Sequence, residues 1–225
     1  MLTDAIGGFL PAAMGVALSP IPIVAVILML GTPKARTNGP AFAVGWIIGL
    51  VAVSVLVVVV AGGANTPGSS ASDSVNWVTL FLGLALFVLA GRQWRSRPKR
   101  GESPTMPKWM SAVDNIDPPR AFVLGLALSG ANPKNLALTA AAAASIAQAG
   151  LGTANTAIAI AVFVAIGSLT VVGSVLFYLL ARDAATKPLA TIEEFMADHS
   201  NVIMMVVLVI IGAKLVGDGL AGVTH

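Results

Sequence analysis

Gly125-Leu126-Ala127-Leu128-Ser129-Gly130-Ala131-Asn132-Pro133-Lys134-Asn135-Leu136 lies inside an otherwise apolar stretch at residues 121–149. Asparagine is a strong helix N-cap, and proline suits the first position of a helix but not its interior. Asn132-Pro133 therefore predicts that one half-helix ends and another begins within the stretch. Gly15-Val16-Ala17-Leu18-Ser19-Pro20-Ile21-Pro22, inside the apolar stretch at residues 5–30, repeats the pattern. Both segments read Gly-x-Ala-Leu-Ser and are followed by a cap-and-proline step, Ser19-Pro20 in one and Asn132-Pro133 in the other.

Composition places these interruptions in a membrane. Of 225 residues, 56% are hydrophobic and only 10% charged, where a soluble domain carries about 25% charged residues. Mean hydropathy is +0.89. A bilayer core about 30 Å thick needs roughly 20 apolar residues per helix. Six stretches qualify, at residues 5–30, 40–61, 75–91, 121–149, 153–180 and 201–221. The first lacks the basic flank of a signal peptide and reads as a mature span. There are no cysteines, hence no disulfide, thiol nucleophile or thiolate metal site. His199 and His225 are too few for a histidine cluster, so no metal or other cofactor is expected. The spans contain no hydrolase elbow, phosphate loop or catalytic carboxylate pair, so an enzyme is not expected.

The basic residues set the topology. Lys34 and Arg36 follow the first span. Arg92, Arg95, Arg97, Lys99, Arg100, Lys108 and Arg120 follow the third, and Arg182 and Lys187 follow the fifth. The alternate connections, 62–74 and 150–152, carry none. Cytoplasmic loops are enriched in Lys and Arg. The three basic loops are thus expected in the cytoplasm and both termini outside a plasma membrane. The same distribution removes the nucleic-acid partner that a pI near 9.6 would otherwise suggest.

Spans two and five share Ser-Val-Leu, at Ser54-Val55-Leu56 and Ser174-Val175-Leu176. Three spans per half is an odd number, so the second half enters from the opposite side. The expected fold is an all-α membrane protein of six transmembrane helices in a 3+3 inverted repeat, with helices one and four interrupted near the midplane, a recurrent transporter design. The halves are residues 1–91 and 120–225, joined by a basic cytoplasmic loop at 92–119. In that loop Trp109, Met110, Val113 and Ile116 recur at helical spacing, as in a helix lying in the interface or packed on the bundle. Leu189, Ile192, Phe195 and Met196 form a similar stripe before span six. Residues 62–74 read as a turn-rich connector.

Half-helix N-termini carry partial positive charge and attract anions. Lys134 adds a full charge, at an insertion cost of about 2.5–3.5 kcal/mol at a helix centre. A polar cavity or an anionic partner would offset that cost. Ser19, Pro20, Pro22, Ser129, Asn132, Pro133, Lys134 and Asn135 thus form a candidate anion-recognising site. The structural alternative is two kinks, with Lys134 reaching for water. Lys214 and Asp218, four apart on one helix face, either neutralise each other or couple transport to protons. Gly45, Gly49 and the alanine run 140–144 allow close helix approach, within one chain or in a homodimer.

The segment Pro107-Lys108-Trp109-Met110, then Arg120-Ala121-Phe122, then Gly125–Ser129 and Asn132–Leu136, resembles the glycopeptidolipid- and sulfolipid-addressing (GAP/Sap) family of the lysine exporter (LysE) superfamily. The superfamily's proline motif in helix one and Asn-Pro motif in helix four are matched by Ser19–Pro22 and Asn132-Pro133. Ile21 stands where amino-acid exporters carry glycine between the two prolines, a departure that weighs against an amino-acid cargo. The resemblance implies export of a lipid or glycolipid, with membrane lipids and larger lipid-transport machinery as partners. Two other functions fit the residues: export of a small solute, and a non-transporting scaffold for envelope-lipid synthesis.

Overall fold

A computed structural model describes residues 2–64, 71–96 and 116–223, and every element among them is a helix. In chain order these are α1 (Leu2–Ala17), α2 (Pro20–Leu30), α3 (Ala35–Ala64), α4 (Ala71–Arg95), α5 (Pro118–Gly130), α6 (Pro133–Gln148), α7 (Thr153–Gly167), α8 (Leu169–Leu180) and α9 (Arg182–Val223). Two stretches, Ala35–Ala61 and Ala184–Leu220, are each long and apolar enough to cross a membrane. The bent pairs α1–α2 and α7–α8 raise the number to four if each is one span. The outward surface is apolar as well: Val59, Val60, Phe81, Val88 and Leu180 are all more than 60% exposed, a pattern that suits lipid better than water.

Both proline steps break their helices where the sequence predicts. Ser19 (φ −74°, ψ 110°) and Asn132 (φ −67°, ψ 119°) adopt extended backbone, because a following proline crowds the helical region for the residue before it. The α1–α2 pair bends by 47°. A third break departs from the expected continuous fifth span: α7 and α8 meet at Ser168 with a bend of 61°. No proline is there. A Gly-Ser pair, Gly167-Ser168, is the cause, since such pairs loosen a helix where no side chain braces the backbone.

Two further expectations change. The stripe Leu189–Met196 is no separate interfacial helix, because α9 runs unbroken for 42 residues, about 63 Å at 1.5 Å per residue. Ala185 and Leu189 are buried on its inner face, while Ile192 and Phe195 stay exposed. Part of the connector at 62–74 is helical, since α3 extends to Ala64 and α4 starts at Ala71. The stripe residues Trp109, Met110 and Val113 lie outside the described residues. Ile116 packs partly buried against the core.

Close contacts give the relative directions of the helices. Gly45 meets Phe122 and Gly49 meets Ser129, so α3 and α5 run parallel. A Cβ on Gly45 would stand 2.1 Å from the Phe122 carbonyl oxygen, and one on Gly125 would stand 2.2 Å from that of Phe42. Only glycine allows this backbone-to-backbone approach. Gly8 meets Ser145 and Gly15 meets Leu138, so α1 and α6 are antiparallel. Phe9 packs edge-on against Phe163 and Val16 lies on Gly167, so α1 runs parallel to α7. Gly39 meets Val175 while Leu50 lies on Gly167, so α3 opposes α7–α8. Leu80 meets Gly219 and Gly83 meets Val216, so α4 opposes α9.

Candidate functional site around the helix breaks

A broken helix leaves carbonyls without donors, and lipid supplies none. At the end of α1, the Ser19 N–H donates to Val16 O at 3.1 Å instead of to Gly15 O. Pro20 and Pro22 have no N–H to offer Val16 O and Leu18 O. Two of the exposed carbonyls are then taken by side chains from distant elements. The Lys134 ammonium donates to Gly15 O at 3.0 Å, and the Thr170 hydroxyl donates to Ala17 O at 2.5 Å. A cation at the C-terminal end of a half-helix also meets the negative pole of its dipole.

The second break is repaired in the same way. At the end of α5 the Asn132 N–H goes to Ala127 O, which leaves Leu128 O to accept from Asn135 Nδ2 at 2.9 Å. The Asn132 side chain caps α6 by accepting from the Lys134 N–H at 3.1 Å. Neighbouring residues in the first turn of α6 thus hold both breaks, Lys134 through α1 and Asn135 through α5. Lys134 is only 4% exposed and Asn135 fully buried, so Lys134 does not reach for water.

The remaining predicted residues divide into two groups. Ser19 is buried 1% exposed, and its hydroxyl has no partner. Pro20 and Pro22 are buried at the start of α2, whereas Pro133 is exposed. Ser129 turns its hydroxyl back to Leu126 O at 3.1 Å and faces Gly49 of α3. The two prolines of α2 leave Ile21 as the first N–H donor there, so the α2 terminus is a poorer anion cradle than a proline-free one. The full charge of the cluster comes from Lys134. Lys214 and Asp218 bond each other at 2.5 Å, with side chains 32% and 53% exposed. They sit one and two turns beyond Ile211, which packs against Gly15.

Three participants escaped the reading of the sequence. Gly15 and Thr170 are joined to the site across 119 and 153 residues, and no local pattern announces either. Ser168, 4% exposed with a hydroxyl lacking a partner, has the Gly-Ser pair as its one signal. Among the described residues no group of His, Cys, Asp or Glu could hold a metal ion.

A family model described as "Sap, sulfolipid-1-addressing protein" matches residues 9–221. No curated protein sequence and no solved structure matches the chain.

Proposed function

The chain belongs to the sulfolipid-1-addressing protein family, and from that premise we propose that it is a lipid exporter that recognises an anionic headgroup with Lys134. The observation that carries this reading is a buried ammonium whose contact is the neutral Gly15 carbonyl, placed where the two proline breaks meet. A neutral acceptor compensates a buried cation poorly. An anion offers a charge-assisted bond worth about 1.5–3 kcal/mol. A sulfate or phosphate headgroup that draws Lys134 away from Gly15 would add charge pairing that the carbonyl lacks, and the freed Gly15 carbonyl would accept from a hydroxyl group.

The six-span inverted repeat belongs to the same proposal. Six alternating spans require span one to run with five and against four, two with four and against five, and three against six. The observed helix directions satisfy each of these relations. They also exchange correctly when the halves are swapped, since α1 lies along α7 as α5 lies along α3. Spans one and four each break once, at Ser19-Pro20 and Asn132-Pro133. The ends carrying Lys34, Arg36, Arg120 and Arg182 gather on one side, tied by the Asn38–Ile116 bond at 3.0 Å and the Gly39–Val175 contact. By the positive-inside rule that side is cytoplasmic.

The test is translocation in proteoliposomes of phosphatidylcholine holding fluorescent sulfatide, a sulfated glycolipid, read by back-extraction into albumin. Wild type should accelerate transfer over protein-free vesicles, and unsulfated galactosylceramide should move far less. Lys134→Ala should slow sulfatide by about tenfold to a hundredfold, the kinetic equivalent of one charge-assisted bond. Sulfatide transfer no faster than in empty vesicles would sink the exporter reading and favour a scaffold. Transfer that ignores the sulfate would remove Lys134 as the headgroup ligand.

A further inference from the structure

The Lys134–Gly15 bond also joins two helices that touch along one line. On α6, Lys134, Leu138, Ala141, Ser145 and Gln148 fall on a single face, spaced by three or four residues. On α1, Gly15, Pro11, Gly8 and Asp4 form the matching face. Gly8 lies so close to Ser145 that an added Cβ would stand 2.8 Å from its hydroxyl oxygen, and one on Gly15 would stand 3.0 Å from Leu138 Cδ1. The seam is therefore narrow at both glycines, and at Gly15 the side chains of Val207 and Ile211 from α9 pack over it beside Leu138. Its inner end is the Lys134–Gly15 bond. Its other end is an open cavity of about 440 Å³ lined by Asp4, Ala5, Ser145, Gln148 and Ala149. That cavity lies at the end of the bundle away from Lys34, Arg36, Arg120 and Arg182.

We propose that the Lys134–Gly15 bond is a bolt across this seam, and that an anionic headgroup which draws the bolt leaves between α1 and α6 toward the cavity at its mouth. This rests on the reading of Lys134 as a headgroup ligand. The charge balance gives the seam its direction. With Lys134 on Gly15, the ammonium stabilises the end of α1 and the two helices stay together. Once an anion takes the ammonium, Gly15 O loses its donor, and the apolar contact with Leu138 is what joins Gly15 to α6, with Val207 and Ile211 of α9 packed on the same glycine. The path outward is polar at both ends and apolar across Leu138 and Ala141, so it opens for a headgroup only while the helices part. At the mouth Ser145 and Gln148 can bond uncharged hydroxyl groups as the headgroup leaves.

The chain has no cysteine, so pairs introduced by mutation report without background. Gly8→Cys/Ser145→Cys should cross-link on mild oxidation and stop sulfatide transfer, with recovery on reduction. Val53→Cys/Gly130→Cys joins α3 to α5 at an ordinary contact distance, and its cross-link should leave transfer unchanged. A second measurement does not depend on transfer. Leu138→Cys, at a fully buried position, should be inert to a membrane-impermeant maleimide. It should become at least tenfold more reactive when Lys134→Ala or Lys134→Gln is added, in protein that elutes as the same monodisperse species. A cross-linked Gly8/Ser145 pair that still transfers sulfatide overturns the route. Leu138→Cys that stays inert in both Lys134 variants overturns the bolt, even in vesicles where no lipid moves. Empty-vesicle transfer with a reactive Leu138→Cys refutes export while keeping the bolt.

Discussion

Lys134, Asn135 and Thr170 replace backbone donors that the helix breaks remove, and each therefore has a measurable structural role apart from any cargo. Thr170→Val keeps the shape and removes the hydroxyl that serves Ala17 O. We expect a loss of about 0.5–2 kcal/mol, since hydrogen bonds between membrane helices fall in that range, read as a lower thermal midpoint in detergent. Thr170→Ser should restore most of it. Lys214 and Asp218 are a different case. Exposed pairs contribute about 1 kcal/mol or less, so Asp218→Asn should change stability little. It should keep sulfatide transfer within about twofold if the two residues serve only each other. A tenfold loss that appears only under an imposed proton gradient would make Asp218 a coupling residue.

At the scale of the elements, the breaks and the glycine crossings pull in opposite directions. The breaks at Ser19-Pro20, Asn132-Pro133 and Gly167-Ser168 interrupt three of the long apolar stretches. The α3–α5 crossing is a fixed axis, because backbone touches backbone at Gly45 and Gly125. Gly125→Ala would drive a methyl into the Phe42 carbonyl, which cannot rotate away as a side chain can. We expect a destabilisation of about 1–3 kcal/mol, typical of overpacking, measured by denaturation in detergent. Ser168→Ala tests the third break. It removes a buried hydroxyl that has no partner, so stability should hold or rise slightly. Transfer should fall if the 61° bend moves in the cycle. The prolines of α2 and α6 marked their breaks in the sequence, whereas Gly167-Ser168 breaks a stretch expected to be continuous. The prolines also announced where a cap residue would stand.

For the whole molecule, the relative directions of helices come from contacts between residues far apart in the chain. The absolute sidedness rests on charge. Single cysteines at Thr37, which is exposed, and at Gly152, in the short turn after α6, should label from opposite sides of a sealed membrane. Labelling from one side would overturn the alternating arrangement. That turn has its own local cause: Gly150 adopts φ +58°, the left-handed conformation that ends a helix and that other residues resist. The length of α9 is the clearest failure of hydropathy reading. Hydropathy sets the residues from Arg182 to His199 apart from span six, with a short helical stripe at Leu189–Met196, because they are too polar to cross lipid. They are nevertheless good helix formers with buried Ala185 and Leu189 on one face, so the helix simply continues past the apolar part.

By itself the sequence determined what each residue can do alone or with its near neighbours. Apolar runs make helices, prolines break them, and most basic residues stay out of the spans. These are local steric and transfer effects, and they act whatever the rest of the chain is doing. Tertiary structure decided which broken end each polar side chain repairs. Lys134 could have reached for water, an acid or a neighbouring carbonyl. Its bond to Gly15, across 119 residues, exists because α1 and α6 lie antiparallel with small residues between them, and no local rule in the chain specifies that pairing.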